Sequence, residues 1–286
     1  MRYGAQTATW SLTLLLLLLI TIILSAGIGP VAIPPKIVSL ILLQRTLDFL
    51  HLPTPTALIF HGNPSQTHTT IITTLRLPRI LLAAIVGFAL ATAGTVMQGF
   101  FRNPMADPSI IGVSAGAAVG AVTIIAINPT IPFGIETAAF IGALIAAFGV
   151  YLIATEANKT PVATLLLAGI AVQTFLSAIV SVLLLISGEN LRQAVFWLMG
   201  HLHTANWHEV TVATPIVLSG FILLLFYTRD LNTLLLGEED AYTLGVEVEQ
   251  TKRVLLGIAS LVTAIAVAVA GIIGFVGLII PHLMRL

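Results

Sequence analysis

Several groups of residues in this sequence have the types and spacing that chemistry needs. Gly112 to Gly116 reads GVSAG, the G-x-S-x-G pattern of a nucleophile elbow. An elbow requires a strand-to-helix turn, with a histidine and an acid to activate Ser114. Here the stretch opens an apolar helix with nothing polar beside the serine. The plainer reading is tight helix packing through Gly112, Gly116 and Gly120, four apart on one face. His201, His203 and His208 in HLHTANWH stand at spacings that can bind metal, but no acid lies at ligand spacing, so solvated connector histidines are the plainer reading. Arg76 and Arg79 in LRLPR are placed at a helix start, where cations oppose the dipole. Either they snorkel to headgroups or they dock an acidic partner. In residues 228–253, TRDLNTLLLGEEDAYTLGVEVEQTKR, Leu234, Leu235 and Leu236 run into Gly237, Glu238, Glu239 and Asp240, and Leu244-Gly245 follow. A solvated loop has no need of those leucines. Two short amphipathic helices turning at Gly237 would show a surface that enters a partner's groove.

The elements that must position these residues are set by composition. The chain has 286 residues, 57% hydrophobic and 8% charged, with a mean hydropathy of +1.05. Soluble domains carry about 25% charged residues, so most of this surface must face lipid. Apolar runs of about 20 residues recur throughout, and the alternating strands of a barrel are absent. The fold class is an all-α polytopic membrane protein. Twelve basic and twelve acidic residues give no net attraction to nucleic acid. The absence of cysteine excludes disulfides, thiolate metal sites and cysteine nucleophiles.

About seven spans are expected, at 10–29, 80–101, 110–128, 136–154, 164–187, 210–227 and 254–281. The first run follows only Arg2 and has no clear small-residue cleavage site, which favours an uncleaved span over a signal peptide. Lys36 to Leu50 is too short and charged to span and reads as an interfacial helix, and His51 to Thr74 reads as an exposed loop. INPTIP (127–132) and NKTP (158–161) are turn signals, and LRQAVFWLMG (191–200) is a short re-entrant or interfacial helix. Pro104 should stop the second span, with Asp107 capping the next element and Pro108 in its first turn. Lysine and arginine divide six to five between the two sides, which sets no orientation. Within the spans only Gln98, Gln173 and His282 are notably polar. Carriers driven by protons or sodium bury carboxylates or break helices around an ion, so transport energy should come from elsewhere.

Leu75 to Ala121, LRLPRILLAAIVGFALATAGTVMQGFFRNPMADPSIIGVSAGAAVGA, closely resembles the signature region of FecCD-type permeases. These are membrane subunits of ATP-driven importers for iron-siderophores, haem and vitamin B12. LNTLLLGEEDAYTLGV (231–246), VAGIIGFVGLIIPHLMRL (269–286) and the short LRQAVFWLMG helix agree with the same family in the same order.

The resemblance implies a ten-span helical bundle and one permease domain over residues 1–286, lacking the family's last three spans or so. It implies a multi-pass subunit of a prokaryotic cytoplasmic membrane with its N-terminus inside. A second permease copy, as homodimer or close paralogue, two ATPase subunits and an external substrate-binding protein would be its partners. Leu234, Leu235, Leu236, Gly237, Glu238, Glu239, Asp240, Leu244 and Gly245 would couple to the ATPases. Arg76 and Arg79 would dock the binding protein, and Val162, Ala163 and Thr164 would lie at the inner gate. The cargo would be an iron chelate, foremost an iron(III)-siderophore, with haem and cobalamin as alternatives. The subunit would perform no covalent chemistry and hold neither metal nor cofactor, ATP-Mg being held by the partner ATPase. An ATP-independent carrier or channel is the second class.

Overall fold

The computed structural model describes residues 2–49, 51, 65–127 and 134–285. The INPTIP turn beyond Ile127 and most of the 51–74 loop lie outside these residues. Six described helices are long and apolar enough to cross a membrane, and a seventh apolar helix is shorter. This is the all-helical, multi-span class expected. The described residues divide into two compact units, 1–82 with 205–207, and 83–204 with 208–286.

The first unit contains α1 (Arg2–Gly27), α2 (Pro35–Phe49) and the opening turns of α3 (Gln66–Phe100). Its core is Ala26, Ile33, Val38, Ile41 and Ile72. The leucines of α1 from Leu14 to Leu19 face outward, as a lipid-facing span requires. The expected start of the second span at 80 is wrong by about four helical turns. Helix α3 begins at Gln66, so residues 66–74 are helix and not exposed loop. Ser65 caps it by accepting the His68 N–H. Thr69, Thr70 and Thr73 each return a hydroxyl proton to the carbonyl four residues back, which lets a polar run remain helical.

Residues Ile71–Arg76 form a π turn, with the Leu77 N–H reaching back five residues to Ile72 O. The next acceptor in that register, Thr73 O, meets Pro78, which has no N–H. The Trp207 indole N–H donates to it instead, at 2.9 Å.

The second unit holds the rest of α3, a 3-10 turn (Pro108–Ile111), α4 (Val113–Ile127), α5 (Gly134–Ala154) and α6 (Val162–Ile186). The short α7 (Leu191–Leu198), α8 (Trp207–Phe226), α9 (Thr228–Leu234), α10 (Glu238–Thr243), α11 (Val248–Ala270) and α12 (Val276–Leu283) follow. Helix α11 is the central post: 72% of its spanning window is buried, against 44% or less in the other spans. Its buried Ser260 and Thr263 hydroxyls are satisfied by Leu256 O and Ala259 O.

Helix α3 ends at Phe100 through Arg102, whose φ of 49° reverses the chain. Arg102 N–H bonds Gly99 O and Asn103 N–H bonds Gln98 O, the paired bonds of a Schellman ending. The stop therefore comes before Pro104. Asp107 caps the next turn as expected, accepting the Ser109 N–H at 2.9 Å with Pro108 beside it.

The expected last span, 254–281, is broken. Helix α11 stops at Ala270, Gly271 has φ 70° and Phe275 φ 67°, and α12 restarts at Val276. The loop after α7 fills the break, with the His201 N–H donating to Ala270 O at 2.7 Å. Gly200 and Gly271 make this possible, since a Cβ on Gly271 would meet the Trp197 carbonyl and Gly200 itself. Within α12, Pro281 leaves Gly277 O without its helical donor. Gly94 of α3 lies directly against that oxygen, and buried Gln98 donates to the neighbouring Leu278 O at 2.9 Å.

Helices α4 and α5 meet backbone to backbone. A Cβ on Gly116 would fall on Gly142 O and one on Gly120 would fall on Ala138 O. Gly120→Val should therefore lose folded protein by size-exclusion profile and thermal unfolding in detergent, at a cost of about 1–3 kcal/mol or more. Ser114→Ala should leave both unchanged.

Candidate functional site

The chemistry-bearing groups fall on different elements of the chain. Ser114 is half-buried in a recess of ≈ 310 Å³ with Ser109, Gln173 and Ser177, and no histidine or acid lines it. The Gln173 amide is committed to Ser109 O. With no histidine or acid among the described residues that line this recess, the elbow pattern reads as a packing motif: Gly112, at φ 83°, turns the 3-10 segment into α4.

The His201 and His203 rings stand edge to face, 5.0 Å apart. Burial lowers the His201 imidazole below its ordinary pKa of 6.5, and His203 adds to this; its own backbone hydrogen bond and Glu136 oppose it. Among the described residues no three His, Asp or Glu side chains are grouped to hold a metal.

Arg76 and Arg79 lie in the first unit. Because α3 begins at Gln66, both are inside the helix and the unfavourable dipole placement disappears. The Arg76 guanidinium donates to Ala26 O at 2.6 Å and Val31 O at 2.5 Å, closing the carbonyl end of α1. This structural task was not read from the sequence. Arg79 is exposed.

The polar segment 228–253 folds as two short helices with the turn at Gly237, φ 140°. Anchoring and display are divided by residue. Leu234 and Ala241 are buried, and Leu231 packs against Gly99. Leu235, Leu236, Tyr242 and Leu244 are exposed, with Glu239, Asp240 and Gly245 also outward. Tyr242 is 75% and Leu236 65% exposed, an apolar face with an acidic edge. Glu238, read with the display group, is half-exposed, with its carboxylate facing back to an ammonium beneath.

Its partner is Lys252, on the first turns of α11, whose side chain is 3% exposed. The Lys252 ammonium sits 3.2 Å from both Glu238 oxygens and 2.7 Å from Glu249 Oε1, and donates to Thr160 O at 2.7 Å. Glu249 Oε2 accepts the Thr160 N–H at 2.9 Å. The peptide groups on either side of Thr160 Cα are thus each held by one member of an i,i+3 ion pair.

Thr160 closes a tight hairpin. Glu156 and Lys159 exchange two backbone hydrogen bonds of 2.9 Å around Ala157 and Asn158, whose φ values are 49° and 62°. Both central residues are left-handed, the type I′ pattern. The turn lies about two residues before its expected place, because Asn158 tolerates this conformation and Pro161 already caps α6. Arg253 adds bonds to Tyr151 Oη at 3.0 Å and Asn158 Oδ1 at 3.2 Å.

Val162, Ala163 and Thr164 are the first residues of α6, immediately beyond this clamp. Val162 packs on the core, while Ala163 and Thr164 are exposed. Between hairpin and α10 opens a cleft of ≈ 900 Å³ with Lys159 and Asn158 on one side and Glu239 and Tyr242 on the other. Lys252 and Glu249 were missed from the sequence, and Thr160 was read only as part of the connector beside the gate. The E-x-x-K spacing at a helix start was visible, but the approach of Thr160 and Glu238 is tertiary.

Comparison with known proteins gives the family of the chain. Residues 17–286 match the profile of the FecCD transport family. The chain is 50% identical to the cobalamin import system permease protein BtuC of Halobacterium salinarum, covering 99% of this chain and 82% of that one. It is 44% identical to the hemin transport system permease protein HmuU of Yersinia pestis, covering 74% of this chain and 65% of that one. A solved metal-chelate type ABC transporter in an inward-facing conformation superposes with a TM-score of 0.80 at 33% identity, covering 96% of this chain and 80% of that one.

Proposed function

The chain belongs to the FecCD transport family of ABC-importer permeases, and from that premise we propose that it carries a bulky metal chelate, cobalamin first among them. It is a multi-pass protein of the inner membrane. The iron(III)-siderophore expectation and haem stand as the competing cargoes. The 50% identity over 99% of the chain to a permease named for cobalamin favours the corrinoid.

The observation that carries the mechanism is the α9–α10 element, anchored beneath by Leu231, Leu234 and Glu238 and displaying Leu236, Tyr242 and Leu244 outward. This is the form of a rigid knob seated in a partner, and the partner is the ATPase subunit. ATP-Mg is bound and hydrolysed there. The permease holds no cofactor and makes no covalent bond. Closure of the ATPases displaces α9–α10 and switches a gate at Val162, Ala163 and Thr164 between two permease copies, a homodimer or close paralogues. The external binding protein docks through Arg79, with Arg76 fixing the α1 end nearby in the same unit.

An ATP-independent carrier has less support. Gln98 and Gln173, two of the three polar span residues noted from sequence, are both committed to backbone carbonyls. Uptake that survives complete ATP depletion would favour the carrier.

The cargo is tested by reconstituting the permease with its ATPase and adding binding protein loaded with cobalamin, a ferric siderophore or haem. Stimulated ATP hydrolysis is expected with cobalamin, and stimulation by the siderophore alone overturns the assignment. Combined Glu239→Lys and Tyr242→Ala should reduce ATPase co-purification about tenfold or more, in the range for loss of central interface contacts. Undiminished assembly would remove the docking role. Arg79→Glu should weaken capture of the binding protein most at low ionic strength, where surface charge is least screened. Equal affinity at low salt would exclude Arg79 from that surface.

A further inference from the structure

Lys252 contacts three parts of this end of the second unit: Glu238 on α10, Glu249 on its own helix α11 and the Thr160 carbonyl before α6. Stability alone is a poor reason for it. A buried ion pair is often no better than apolar residues of the same volume, because desolvation offsets the attraction. What such a group provides is geometry, since an ammonium with three directed donors fixes three acceptors relative to one another.

The acceptors here are suited to transmit a displacement. Glu238 opens α10, directly after the exposed leucines of the docking face. On the other side, the Thr160 N–H is held by Glu249 and its carbonyl by Lys252, so the peptide groups before and after its Cα are each pinned by one bond. Thr160 is 1% exposed, and its hydroxyl is 2.9 Å from that of Thr155 across the hairpin. Pro161 follows with φ −63°, and α6 begins at the next residue. No flexible linker intervenes between the Lys252 contact and Val162.

We propose that Lys252 is a positioning residue that makes α10 and the Thr155–Pro161 hairpin one rigid body, so that movement of the docking face is delivered to the first turn of α6. This rests on the reading of α9–α10 as the ATPase-docking element. If Lys252 is lost, α10 still docks through Leu236 and Tyr242, but its displacement is absorbed before it reaches Val162.

The chain has no cysteine, so paired labels can be introduced directly. Spin labels at Lys159→Cys and Thr243→Cys, on opposite sides of the cleft, should give a narrow distance distribution in the purified permease. Lys252→Met should broaden it with or without ATPase present. In the reconstituted complex the same substitution should lower cargo moved per ATP hydrolysed by about tenfold, within the range of a coupling between sites. Lys252→Arg should restore part of that ratio. An unchanged distribution in Lys252→Met overturns the clamp, and a broadened distribution with an unchanged ratio overturns the positioning role. If Lys252→Met does not accumulate, Glu238→Ala removes only the α10 acceptor and leaves Lys252 paired to Glu249. It should give the same broadening and fall in ratio, and the absence of either overturns the proposal. Failure of ATPase to bind wild-type permease would instead overturn the docking reading and leave the distance result intact.

Discussion

Every backbone N–H and C=O within a bilayer must find its partner inside the protein, and the irregular parts of this chain are organised by that requirement. Each departure from regular helix is accompanied by a specific donor or close approach. Pro78 withholds an N–H from Thr73 O, and the Trp207 indole supplies one. Helix α11 ends at Ala270, and the His201 backbone N–H takes the Ala270 carbonyl. Pro281 frees Gly277 O, and the glycine at position 94 allows the α3 backbone to lie against it. Trp207, His201 and Gly94 are unrelated residue types with one common task.

The same constraint explains why small residues concentrate where they do. Lipid chains are as apolar as leucine, so helices gain little by burying large side chains against one another. Helices α4 and α5 instead exchange backbone contacts at Gly116, Gly120 and Gly142. A motif that resembles a nucleophile elbow arises from this packing, because tight turns and close helices both select glycine and serine. Periodicity along the helix separates the two origins, since Gly116 and Gly120 continue a four-residue repeat that a catalytic turn has no reason to keep.

Most of the architecture was legible from apolar run length and turn chemistry. Helices α5, α6 and α8 begin and end within about three residues of their expected bounds, and the Gly237 turn between α9 and α10 is where the glycine indicated. The failures have two physical origins, one local and one tertiary. Residues 66–74 are rich in threonine and histidine and look like loop, yet threonine hydroxyls bonded to the preceding turn keep them helical. Val269–Pro281 is apolar and looks continuous, yet its break is held by the loop after α7, and α3 bonds the helix that follows. Local pattern cannot report bonds such as His201 to Ala270 or Gln98 to Leu278, whose halves lie far apart in sequence. The candidate site divides the same way. The exposed leucines of α9–α10 were visible as an anomaly in a polar segment, whereas the direction of the Glu238 carboxylate depends on where Lys252 happens to be.

With only 8% charged residues, the placement of each charge is informative. Arg76 closes the end of α1, Lys252 holds Thr160 O, and Arg285 reaches the Gln98 amide oxygen at 2.6 Å. In all three the cation grips a neutral oxygen. A carbonyl dipole needs no counter-charge to be desolvated with it, so a cation can join backbone segments where a second ion would be costly. Lys252 alone also gathers carboxylates, and it does so at the end of the second unit where the chain is most polar. Two acids around one ammonium exceed what neutralisation needs. The surplus is intelligible if the ammonium must keep its place while the elements around it are pushed.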